Sequence, residues 1–110
     1  MSDSLDEFAR LVKGFADDRD WQQFHTPKNL AMALAVEAAE IMEHFQWKTA
    51  EDSQSLAEEQ HREVAMELAD VFIYLMRLSQ ALDVDLIAAA NEKMAINEHR
   101  FPADNPGPKL

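Results

Sequence analysis

Four carboxylates stand in two pairs thirty residues apart: Glu37 and Glu40 within the run 30–42, and Glu67 and Asp70 within the run 64–76. Both runs are rich in Ala, Leu, Met and Glu, which favour helix, and residues three apart on a helix share a face. Each segment therefore projects two acids together from a mostly apolar cylinder. Ionised carboxylates among apolar side chains are costly unless they meet a cation or take a proton. An all-oxygen cluster selects a hard divalent cation. Mg²⁺ suits a site that keeps waters and meets phosphates, and Mn²⁺ is a close substitute. A carboxylate left free by the cation is a candidate general base.

A single E-x-x-E on a helix is ordinarily a solvated surface pair. Here both pairs lie mid-helix between bulky apolar neighbours, which favours the metal reading. A di-iron carboxylate bundle would need E-x-x-H on two helices. The only such motif in the central helices is Glu58 to His61, far from Glu67, so iron is not expected. His44 and His61 read as solvated or locally bonded histidines.

Four helices must position these groups, and the class expected is an all-α four-helix bundle. Leu5, Phe8, Leu11, Val12 and Phe15 recur at helical spacing over 4–16, with Ser4 and Glu7 in capping-box register. A polar break at 17–25 carries Trp21, Phe24 and His25. These aromatics either plug the end of the bundle or hold a planar ligand. Thr26-Pro27 opens the second helix, which runs to about Phe45. Ser55 and Glu58 match a second capping box before a third helix ending near Leu82. The fourth starts near Asp83 or Asp85 and stops before Phe101-Pro102. The connection between the second and third helices centres near residue 52 or 53, equally far from both acidic pairs, so an antiparallel hairpin brings the pairs level. Lys93, Asn97 and Arg100 share a basic, polar face of the fourth helix, a complement to a metal-bound polyphosphate. Tyr74 sits one turn beyond Asp70.

The chain has 110 residues, one domain's length, and is read as a domain over 1–102 with a flexible tail over 103–110. A net charge of −11 opposes sequence-independent nucleic-acid binding, which needs clustered Lys and Arg. A small phosphorylated ligand stays compatible, because a metal inverts the local potential. The absence of cysteine fits a reducing cytosol. The acidic start Met1–Glu7 lacks a signal-peptide apolar region, and no stretch is long enough to span a membrane. A cytoplasmic protein is expected.

Taken together, Asp20–Leu30 (DWQQFHTPKNL), the E-x-x-E, Phe45-Gln46-Trp47, the E-x-x-D with Val71, Ile73 and Tyr74, and Lys93-Met94, Asn97 and Arg100-Phe101-Pro102 resemble the MazG-like all-α nucleoside triphosphate pyrophosphohydrolases. The branch they look most like is that of the dCTP pyrophosphatases, and the resemblance runs through residues 5–102 in one order. It implies Mg²⁺-dependent cleavage of a (deoxy)nucleoside triphosphate, dCTP or a related or modified dNTP, to the monophosphate and pyrophosphate, a house-cleaning of the nucleotide pool. By the same resemblance Glu37, Glu40, Glu67 and Asp70 would hold the metal. Trp21, Phe24, His25, Trp47 and Tyr74 would line the base and sugar pocket, and Lys93, Asn97 and Arg100 would contact phosphates. A homodimer or homotetramer is implied, with pockets shared between subunits. In one place the chain departs from the eukaryotic branch, which carries a pocket histidine where this chain reads Val12-Lys13-Gly14. Two alternatives remain: a bundle that binds a metal–nucleotide without cleaving it, and a structural helical oligomer with solvated acids.

Overall fold

The computed structural model describes residues 2–107 and contains four α-helices: α1 (Ser2–Asp18), α2 (Pro27–Phe45), α3 (Glu58–Ala81) and α4 (Leu86–Arg100). Short 3-10 turns at Trp21–Gln23 and Asp52–Gln54 lie in the first two connections, and no strand occurs among the described residues. The all-α expectation holds. Residues 108–110 of the expected tail lie outside the described residues, and 103–107 are exposed.

The helix starts show which local signals the chain uses. Thr26 caps α2 by accepting from the Asn29 N–H at 3.2 Å, with Pro27 in the first turn. Asp85, rather than Asp83, caps α4 by accepting from the Ala88 N–H at 3.0 Å. Asp83 instead takes a left-handed φ of 54° in the turn between α3 and α4. Neither expected capping box forms. α1 already begins at Ser2, so Ser4 lies inside it. Ser55 ends the 3-10 turn, donating its N–H to the Asp52 carbonyl at 3.2 Å, and Ala57 stands at the α3 cap position with no side-chain bond. Glu58 and Glu59 in the first turn of α3 supply the negative charge that its N-terminus favours.

Helix packing runs mainly between α2 and α3, with α1 laid against α3. The buried apolar core is small: Val12 and Ala16 from α1, Leu30 from α2, and Val64 and Met76 from α3. Leu30 is the anchor, at 1% exposure. Phe8 stacks on Phe72 with ring centroids 5.6 Å apart, tying α1 to α3. α4 stands outside this packing: Ile87, Met94 and Ile96 are all exposed.

The molecule is correspondingly open. Its radius of gyration is 17.0 Å, against about 13 Å for a compact chain of this length. Its accessible surface is 8835 Å², against roughly 6,200 Å² for a compact monomer of this mass. Met32, Val36, Met42, Met66, Leu68 and Phe72 on α2 and α3 contribute to the excess. Among the described residues no helix is long and apolar enough to cross a membrane.

Candidate active site

The antiparallel packing of α2 on α3 brings the two acidic pairs into one field. Glu37 is held above the ordinary carboxylate range, first by burial, then by its neighbour Glu40, and further by Asp70 and Glu67. Glu40, Glu67 and Asp70 thus all lie close enough to act on Glu37, as the matched spacing predicts. Glu37 Oε2 and Glu67 Oε2 are shut off from solvent with no hydrogen-bond partner among the described residues. His44, one turn beyond Glu40, places Nε2 at 2.6 Å from Glu67 Oε2, an ion-pair distance outside hydrogen-bond geometry. It is therefore not a solvated histidine, whereas His61 is exposed.

The buried Glu37 Oε2 fits a hard cation, since it leaves an unmet demand for positive charge, whereas Glu67 Oε2 already faces His44. The donors do not form a finished cage: among the described residues no three His, Asp or Glu side chains converge to hold a metal ion. Two unit charges roughly 4 Å apart repel by about 4 kcal/mol at an effective dielectric near 20.

Beside this cluster opens a cavity of about 300 Å³ between α1 and α3. From α3 it takes Asp70, Ile73, Tyr74 and Arg77, residues spaced to share one helix face. α1 contributes Phe8, Leu11, Val12, Phe15 and Ala16, and the loop after it contributes Trp21 and His25. Asp20 makes this loop possible: a left-handed φ of 55° ends the α1 direction and starts the 3-10 turn. Trp21 then packs edge-on against Phe15 at 5.5 Å and tilts toward His25 at 5.6 Å. Of the two readings of these aromatics, plug and ligand wall, the cavity favours the wall. Asp70 belongs to both the acidic cluster and the cavity, so the two form one continuous site.

Not every expected residue arrives. Phe24 is 60% exposed and does not line the cavity, and its carbonyl accepts from Asn29 Nδ2 at 3.0 Å. Trp47 is 89% exposed at the far end of α2. Lys93, Asn97 and Arg100 ride on α4, outside the packing of α1, α2 and α3, and none lines the cavity. Within a single chain, then, the basic stripe does not close over the acids. Conversely, Arg77 lines the cavity without having been anticipated, though its spacing from Asp70 and Tyr74, seven and three residues, puts it on their face. Val12 lines the cavity from α1, where the departure from the eukaryotic branch was noted.

Comparison with known proteins gives a consistent picture. The MazG-like family model matches residues 32–106. The chain is 43% identical to human dCTP pyrophosphatase 1 over 102 residues, which is 91% of this chain and 60% of that protein. It is 41% identical to the bovine dCTP pyrophosphatase 1 over 101 residues, with 90% and 60% covered. The chain spans about 60% of the length of these curated relatives. A crystal structure of a pyrophosphatase from Archaeoglobus fulgidus superposes with a TM-score of 0.85 at 37% identity, covering 90% of this chain and 93% of that one.

Proposed function

We propose, because this chain belongs to the MazG-like family, that it hydrolyses a deoxynucleoside triphosphate to the monophosphate and pyrophosphate, with dCTP or a related or modified dNTP as substrate. The observation that carries this reading is the continuity of an acidic, cation-demanding cluster with an aromatic cavity through Asp70. The similarity to dCTP pyrophosphatase 1 supports the substrate class.

In this reading Glu37, Glu40, Glu67 and Asp70 hold Mg²⁺, with Mn²⁺ as a substitute. When bound, the cation neutralises phosphate charge and polarises a phosphoryl oxygen. The protein's own groups do the rest. Trp21 and Tyr74 flank the base, and the apolar walls from α1 exclude water around it. An acid not engaged by the cation accepts a proton from the attacking water.

A second copy of the chain completes the assembly as a homodimer or homotetramer. The excess surface of roughly 2,600 Å² over a compact monomer falls within the range buried by obligate interfaces. The exposed apolar faces of α2, α3 and α4 supply it. In the assembled form Phe24, Trp47, Lys93, Asn97 and Arg100 join the pocket of one subunit or the next. A small cytoplasmic enzyme of the nucleotide pool, binding neither nucleic acid nor membrane, fits the net charge of −11.

The test is incubation with each dNTP and Mg²⁺ followed by resolution of the products. Monophosphate plus pyrophosphate is expected. Release of inorganic phosphate with a diphosphate product, or no turnover of any nucleotide, would refute the assignment. Binding without turnover would leave the non-catalytic metal–nucleotide bundle in its place.

A further inference from the structure

Among the described residues Arg77 is the one charged residue that is buried, at 6% exposure, and it lines the cavity that holds Trp21 and Tyr74. Its Nε–H donates to His25 Nδ1 at 3.2 Å, and its Nη1 donates to Gln80 Oε1 at 2.8 Å. Gln80 in turn donates from Nε2 to the Ala9 carbonyl on α1 at 2.9 Å. The guanidinium is therefore braced from two sides, by the aromatic loop and through Gln80 by α1. No carboxylate pairs with it among the described residues. A buried, unpaired cation is unfavourable unless its donors find acceptors. A guanidinium carries five N–H groups in a planar fork, and the structure occupies two of them.

From this arrangement we infer that Arg77 is the base-selecting residue of the pocket, and that it admits bases presenting two adjacent hydrogen-bond acceptors. The inference rests on the cavity being the nucleotide's base pocket, as proposed above.

The chemistry is that of a planar fork against a planar edge. Cytosine offers N3 and O2 side by side, both acceptors, and guanine offers O6 and N7. Thymine and uracil place the N3–H donor between their carbonyls, and adenine sets its amino group beside N7 or N1. In those bases a donor would face a donor. The neighbouring groups reinforce the choice. Because Arg77 donates to His25 Nδ1, His25 carries its proton on Nε2 and presents a donor as well. The placement also suits a base. Arg77 lies seven residues along α3 from Asp70, about 10 Å along the helix axis. There it lines the same cavity as Phe8, Phe15 and Trp21, a helix turn or more beyond the acids that would meet the phosphates. A purely structural brace is the competing reading, and it makes a different prediction: loss of Arg77 would weaken every substrate alike.

The experiment compares wild type with Arg77→Lys, which keeps the charge but not the fork, in two assays. The first measures binding of dCMP, dGMP, dTMP and dAMP with Mg²⁺ by calorimetry. The second measures kcat/KM for the four dNTPs. Wild type should favour the cytosine or the guanine nucleotide over the thymine and adenine ones by about tenfold or more, and Arg77→Lys should level that ratio. With wild type alone, 3-deaza-dCTP and 7-deaza-dGTP each remove one acceptor, and the analogue of the favoured base should lose about tenfold. This arm distinguishes cytosine from guanine and decides the matter even if the variant does not fold. A wild-type preference for thymine or adenine, an even loss across all substrates in Arg77→Lys, or indifference to the deaza change would overturn the inference while leaving hydrolysis intact. Ranked monophosphate binding without any turnover would instead remove the proposed reaction and keep the selection rule. No nucleotide binding at all removes both.

Discussion

At the scale of single residues, the two acidic pairs form an acidic cluster that, under the proposed function, a cation relieves. Neutralising one member should therefore remove function without unfolding the helices. Glu37→Gln or Asp70→Asn is expected to abolish turnover, a loss of 100-fold or more from the ~3 kcal/mol of an oriented charge. Melting temperature without Mg²⁺ should hold or rise. The stabilisation that Mg²⁺ plus dNTP gives the wild type, as any ligand specific to the folded state must, should disappear; calorimetric scans with and without ligand check both. His25 makes a separate pH prediction. Desolvation, and then the Arg77 cation, hold its pKa below the ordinary 6.5. Between the two values the unfolded chain binds more protons than the folded one, so this contribution is complete above 6.5 and is lost as pH falls through that window. Glu37, whose pKa is raised, acts in the opposite sense, costing stability as pH rises. The difference between wild type and His25→Gln isolates the histidine: urea midpoints should fall further for wild type between pH 7.5 and 5.5. The acids were legible because charge placed mid-helix among apolar residues is anomalous in any fold. Arg77 was not singled out, because one arginine on an amphipathic helix is ordinary until the opposite wall is known.

At the scale of elements, helical periodicity and the Thr26-Pro27 signal located α2 correctly, and the E-x-x-E and E-x-x-D pairs came level as equal spacing from the turn requires. Both capping boxes failed for a physical reason: their spacing is short and local, and neighbouring turns compete for the same residues. Ser55 is consumed by the 3-10 turn before α3, and α1 starts two residues ahead of Ser4. Two substitutions separate real from apparent local signals. Thr26→Ala removes a side-chain cap that is present and should cost about 1 kcal/mol in urea unfolding. Gly14→Ala, in the interior of α1 with nothing within 4 Å of the added Cβ, should stabilise by about 0.5–1 kcal/mol. A loss of stability there would show that α1 meets another surface at that point.

At the scale of the whole molecule, the fold class was readable from composition, but the position of α4 was not. Spacing placed Lys93, Asn97 and Arg100 on one face, yet nothing in a single sequence says whether that face meets its own chain or another. The structure leaves α4 outside the packing, with Ile87, Met94 and Ile96 exposed. Sedimentation equilibrium should accordingly find two or four chains, and Met94→Glu should shift the population toward smaller species and lower activity together. A monomer active at high dilution would refute this. The consequence reaches beyond equilibrium into time. With five buried apolar side chains among the described residues, a chain of the proposed oligomer would gain its stability at the moment of encounter, so activity would appear with second-order kinetics. Specific activity should then lag after dilution from denaturant, and the lag should shorten as protomer concentration rises; the supply of active protein would then depend more steeply than linearly on how much of it is made.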